Sequence, residues 1–155
     1  MKKDITTGTL TNILTQATES ELHKTLRDNR EALLDPDKPF AALLRETMAQ
    51  RGWSQTALYT RAGLSKGTLD KYLRGERLPR SRDTVLRLCV TMGCDGRQTD
   101  RLLKAADHSP LYARAARDVI ILRALADHVS DTAELDRRLA RHGFAPLLAQ
   151  EGKED

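Results

Sequence analysis

The sequence predicts an all-α protein, and three observations carry that expectation. Apolar residues recur at helical spacing in almost every segment, no run alternates β-branched with polar residues, and no Asn-Gly or Asp-Gly pair marks a hairpin. No unit repeats at a fixed period. The 155 residues are 39% hydrophobic and 31% charged, a globular balance that suffices for one compact domain or a small module with extensions.

The N-terminal arm, residues 1–37, opens with a short apolar set of Leu10, Ile13 and Leu14. Thr18-x-x-Glu21 then forms a capping box, and Leu22, Leu26 and Leu33 recur on one helical face behind it. Asp35-Pro36-Asp37-Lys38-Pro39 closes the arm, because each proline biases the residue before it away from helix.

The central segment, residues 38–106, predicts five helices. Phe40, Leu43, Leu44 and Met48 form the apolar stripe of the first, which Gly52 ends. Ser54 caps the second, with Trp53 and Leu58 placed as a hydrophobic staple, and Gly63 stops it after about two turns. Ser65 caps the third, Leu64 staples to Leu69, and the helix runs from Lys66 to Arg74 before Gly75. After the loop Glu76-Arg77-Leu78-Pro79, Ser81 caps a fourth helix with Val85, Leu88, Cys89 and Met92 on one inward face and Gly93 at its end. Asp95-x-x-Gln98 opens the fifth, with Leu102, Leu103 and Ala106 inward. Two short helices joined by a glycine-containing turn are the sequence form of a helix-turn-helix. A two-turn helix is not stable alone, so its neighbours must hold it.

Charge singles out the same segment. The chain carries a net +4, but residues 1–37 hold 5 Lys/Arg against 7 Asp/Glu, residues 38–106 hold 14 against 6, and residues 107–155 hold 7 against 9. A basic centre between acidic flanks predicts a polyanion partner for the centre, or else a solvated basic surface.

The segment from Phe40 to about Ala106 resembles the Cro/C1-type (XRE family) helix-turn-helix proteins. The likeness rests on Leu44-Arg45, Trp53-Ser54-Gln55, Leu58, Arg61-Ala62-Gly63-Leu64-Ser65, Thr68-Leu69, Arg74-Gly75, Pro79 and Leu86-Arg87-Leu88. It implies a five-helix core flanked by helical extensions, with the third core helix lying in the major groove of double-stranded DNA. It assigns Gln55 to a backbone phosphate and to bracing the start of that helix. Lys66, Gly67 and Thr68 become the first turn that meets base edges, behind the cap Ser65. Asp70 and Lys71 become the next outward positions, Arg74 a phosphate contact at the end, and Arg77 another from the loop.

Physical chemistry fits these roles. Helix N-termini expose free N–H groups and a positive dipole end, which favours phosphate beside Ser54-Gln55 and Ser65-Lys66. A lysine donates to guanine N7 and O6, and a threonine offers a methyl to thymine or a hydroxyl to phosphate. Leu69, Tyr72 and Leu73 are expected to face inward. The sequence also departs from the family pattern. Gly67 stands where a polar reader is common, and the loop before the fourth helix is one residue longer. Asp70 has three readings: an acceptor for a cytosine amino group, an ion-pair partner for Arg74 four residues on, or a mark of weakened DNA binding.

In the C-terminal segment, residues 107–155, Ser109-Pro110 predicts a helix start, with helix to about His128 carrying Leu111, Ala115, Ile121, Leu122 and Leu125. Asp131-x-x-Glu134 predicts another capping box before Leu135 and Leu139, and Gly143-Phe144-Ala145-Pro146 a stop. This extension either enlarges the core or offers a surface for dimerisation or partner docking, and the N-terminal arm allows the same two readings.

Other chemistry is not expected. His23, His108, His128 and His142 lack ligand spacing, Cys89 and Cys94 lack further ligands, and no phosphate loop, nucleophile elbow or carboxylate pair appears, so neither enzyme activity, metal nor cofactor is predicted. With aromatics at 4%, few rings are available to stack single-stranded bases. The longest aliphatic run is Val119 to Leu122, Met1-Lys2-Lys3-Asp4 leads into threonines, and two cysteines make no disulfide framework, so no membrane span or leader is expected and a cytoplasmic location is. The function this predicts is a sequence-specific transcriptional regulator, a repressor acting as a homodimer on double-stranded DNA. The alternative is an adaptor, assembly subunit or antitoxin-like protein that uses the same fold to bind another protein.

Overall fold

The computed structural model describes Thr15, residues 18–28 and residues 38–147. Among them it contains eight helices and no strand. Helix α1 (Glu19–Asp28) belongs to a unit of its own, residues 1–37. Its predicted capping box is present: Glu21 N–H donates to Thr18 Oγ1 and Thr18 N–H to Glu21 Oε2, both at 3.3 Å. Of the predicted stripe, Leu22 is half-buried, and the side chain of Leu26 and all of Leu33, Leu10, Ile13 and Leu14 lie outside the described residues.

The second unit begins at Lys38. Helix α2 (Pro39–Arg51) starts on its proline, buries Phe40, Leu43, Leu44 and Met48, and ends at Gly52 in the left-handed region. Helices α3 (Gln55–Ala62) and α4 (Lys66–Leu73) follow, then α5 (Arg82–Met92) and α6 (Gly96–Ala105). The tail adds α7 (Ala116–Ala126) and α8 (Thr132–Arg141). Every predicted cap in the five-helix segment is made, including the reciprocal Asp95–Gln98 box.

Helix α5 is the hub, packing against α3, α6 and α8. The sequence predicts one inward face for it, but the structure buries every residue from Thr84 to Met92. With neighbours on several sides, Leu86 and Val90 are covered as fully as Val85 and Leu88. Helix α2 packs on α4 and α6, and α7 on α6 and α8.

The tail corrects a second expectation. Ser109-Pro110 does not start a helix; residues 109–115 are irregular and α7 begins at Ala116. The backbone groups of this stretch are taken by side chains from other elements. Arg82 donates to the carbonyls of Ser109 (3.0 Å) and Pro110 (2.9 Å), Leu111 N–H donates to Asp100 (2.8 Å), and Tyr112 N–H to Asp118 (2.9 Å). Once those groups are satisfied, the local signal for a helix start has no advantage. The second capping box is half-made: Asp131 accepts from Ala133 N–H, while Glu134 turns to Arg137 and Arg138.

Two crossed ion pairs tie the tail to α5. Arg82 meets both oxygens of Asp118 at 2.8 Å, and Arg117 meets both oxygens of Asp83 at 2.7 and 2.9 Å. Deeper in, the fully buried Arg87 donates to the Leu147 carbonyl (3.2 Å), and Leu147 N–H donates to Asp136 (2.7 Å).

Gly75, just past α4, has φ +73°, and a Cβ there would lie 2.5 Å from the Lys38 side chain. Gly75→Ala is therefore expected to cost about 1–2 kcal/mol for the left-handed backbone alone, read as a lower thermal midpoint. An unchanged midpoint would show that Lys38 and the turn yield freely.

Candidate nucleic-acid interface

The candidate surface is built by the α3–turn–α4 unit. Ser54 Oγ accepts from Ala57 N–H (3.1 Å) to start α3. Gly63, at φ +75°, lets the chain reverse into Leu64, which is buried. Ser65 Oγ then accepts from Thr68 N–H (3.0 Å) and donates to Thr68 Oγ1 (2.7 Å), fixing the first turn of α4.

Beneath α4 lie Leu69, Tyr72 and Leu73, all buried, with Phe40 meeting the Tyr72 ring edge-on at a centroid distance of 6.3 Å. That floor leaves Ser65, Lys66, Gly67 and Arg74 exposed and Asp70, Lys71 and Arg77 half-buried. A Cβ at Gly67 would meet nothing within 4 Å, so a notch stands open beside Lys66.

Thr68 sits differently from an outward reader. It is 6% exposed and its hydroxyl is engaged by the Ser65 cap, which makes it part of the helix start. Asp70 pairs with Arg74 at 2.9 Å, and Glu76 approaches the same guanidinium at 3.4 Å, so two carboxylates share the cation that the family pattern sends to phosphate. Gln55 is exposed and shares a shallow hollow with Arg45, Trp53 and Leu73. It therefore lies beside the end of α4, and no hydrogen bond links its amide to the start of that helix among the described residues.

Three further cations border the site, and none of their contacts has a local sequence signal. Arg45 Nε donates to the Leu73 carbonyl at 2.7 Å, Lys38 Nζ donates to the Arg74 carbonyl at 3.2 Å, and the Arg61 guanidinium lies 5.5 Å from the centre of the Trp53 ring. Arg45 is part of the motif that carries the family likeness, but a partner 28 positions away leaves no local signal.

No grouping of three or more His, Cys, Asp or Glu suited to a metal occurs among the described residues. Cys89 and Cys94 are free thiols in the interior, and the neighbouring Cys94 thiol together with burial pushes the Cys89 thiol well above its ordinary range. Among the described residues, no helix is long and apolar enough to cross a membrane.

A capped two-turn helix set by a glycine turn on a buried floor defines a helix-turn-helix, and comparison with known families agrees. Residues 39–102 match the family model described as a helix-turn-helix domain. The segment is thus a helix-turn-helix domain, consistent with the Cro/C1 type, and such a domain points to a DNA-binding regulator. No curated protein and no solved structure matches the chain.

Proposed function

We propose that this protein is a sequence-specific regulator of transcription that binds double-stranded DNA as a homodimer and represses by occupying a promoter. The observation that carries the reading is the exposed Lys66–Gly67 turn, capped by Ser65 and standing with Lys71 on a fully buried floor. In this reading Lys66 donates to a base edge, Lys71 follows one turn later, and the notch at Gly67 admits a base edge or phosphate close to the backbone. Gln55, Arg74 and Arg77 contact phosphate, Asp70 orients Arg74 or accepts from cytosine, and Ser65 with Thr68 holds the helix start. One such helix reads only a few base pairs, so two-fold symmetry doubles the site, with half-sites about one turn of DNA apart. The extensions, residues 1–37 and 107–155, are candidates for the dimer contact.

The test is binding to the DNA upstream of the protein's own gene. Replacing Lys66, Lys71 and Arg74 together by alanine is expected to weaken binding by about a hundredfold or more, since a good base contact is worth roughly 1–3 kcal/mol. Unchanged affinity in a folded variant would overturn the assignment of α4. Wild-type affinity is expected to fall by orders of magnitude between about 50 and 200 mM salt.

A second reading, an adaptor that holds a protein partner, is favoured by the pairing of Arg74 with Asp70 and Glu76 and by the exposed Tyr112 and Val119 on the tail. An adaptor would show little DNA affinity at any salt concentration and would co-purify with a protein.

A further inference from the structure

Helix α4 has eight residues, and a helix this short contributes little of its own rigidity. Its start is fixed by the Ser65 cap and the turn from α3. Its last carbonyls have no partner within the helix, as at any helix end. Here two of them are claimed from one neighbouring element: Leu73 O by Arg45 Nε (2.7 Å) and Arg74 O by Lys38 Nζ (3.2 Å). The two donors are seven residues apart, on α2 and at its N-cap, and both are cations at the negative end of the α4 dipole. Met48 and Leu73, both buried, line the same hollow as Arg45.

We infer that Arg45 is a positioning residue for base reading: it clamps the end of α4 to α2 and so sets the angle at which Lys66 and Lys71 are presented. The inference rests on the DNA-binding reading above. Its physical content is a split between affinity and specificity. Attraction to phosphate depends on charge and tolerates small rotations of the helix. Base contacts require side chains held to within about 0.5 Å and 10–20°. Loosening one end of α4 should therefore weaken binding to the selected site while leaving binding to unrelated sequence nearly intact. A residue that merely adds positive charge would lower both together.

The experiment compares wild type, Arg45→Ala, Arg45→Lys and Lys38→Ala on the DNA sequence selected by the wild type and on a scrambled duplex of equal length. Arg45→Ala is expected to cut the ratio of the two affinities about tenfold, with scrambled-site affinity and its salt dependence changed by less than about twofold. Arg45→Lys, whose ammonium can donate to the same carbonyl, is expected to recover most of the ratio, and Lys38→Ala to show a smaller loss. Thermal midpoints report folding. Arg45 is exposed, so its alanine variant should melt close to wild type, and if it does not, the lysine variant and Lys38→Ala carry the comparison. An unchanged ratio in Arg45→Ala, or an equal loss on both duplexes, would overturn the inference while leaving the DNA reading intact. Failure of the wild type to bind any duplex at low salt would overturn the DNA reading, and this inference with it.

Discussion

Ending the chain after Asp107 is expected to leave the helix-turn-helix segment without a stable fold. Ile121, Ala124, Leu125, Leu135, Leu139 and Leu147 are all buried and belong to the same apolar cluster as the residues of α2 to α6. Burying one Leu or Ile side chain stabilises by about 1.5–3 kcal/mol, so the five large ones contribute roughly 7–15 kcal/mol before the entropy cost of ordering the tail, and without them the faces of α5 and α6 that the tail covers are exposed to water. A whole domain is stable by roughly 5–15 kcal/mol. The cut would also strip Arg82 of Asp118, Asp83 of Arg117, and the buried Arg87 of the Leu147 carbonyl. Circular dichroism melting of the truncated chain is expected to show no cooperative transition, where the full chain shows one. A cooperative melt within a few degrees of the full chain would refute this and return residues 107–155 to the role of an appended surface.

The second large effect is centred on Asp118. It is buried, it receives two bonds from Arg82, and it accepts from the Tyr112 N–H. Asp118→Ala would strip Arg82 of its carboxylate partner, leaving it only the Ser109 and Pro110 carbonyls, and would leave the Tyr112 N–H without its acceptor. Breaking one side of a buried pair costs 3–5 kcal/mol. Because the Arg82 side chain is a quarter exposed, about 3 kcal/mol is expected, a drop of roughly 6–12 degrees in the melting midpoint. Asp118 also has a signature in pH. Burial by itself would raise its carboxyl, but the bonds from Arg82 and the Tyr112 N–H outweigh it and hold the group below the ordinary carboxylate range. A depressed folded value means the unfolded chain binds the proton first. The contribution is therefore complete above about pH 4 and is lost as pH falls through the folded value. The stability difference between wild type and Asp118→Ala is expected to be flat near neutrality and to shrink in acid. A difference independent of pH down to about pH 2 would mean the carboxylate charge has no part in the effect.

Much of the fold and of the candidate surface was legible in the residues themselves, for a local reason. Ser54, Ser65, Ser81 and Asp95 each bond a backbone N–H two or three positions on, so their effect is visible in a short window. Gly52, Gly63 and Gly93 end their helices in the left-handed region, a feature confined to one residue. The inward set Leu69, Tyr72 and Leu73 follows from helical spacing alone. Thr68 was not legible. Its position on α4 suits a reader, but one rotamer turns its hydroxyl to Ser65.

What the sequence by itself determined is the order, caps and stops of the five central helices and the basic charge of that segment, because each depends on neighbours within about one helical turn or on composition. Tertiary structure alone decided where α7 starts, that α5 is covered on every side, and that Arg45 and Lys38 grip the end of α4. Those outcomes depend on groups 27 to 60 positions apart, such as Arg82 with Ser109 and Arg87 with Leu147, competing for the same backbone atoms. Only the packed chain brings such groups within bonding distance, and there a satisfied carbonyl or carboxylate outweighs a local preference worth about 1 kcal/mol.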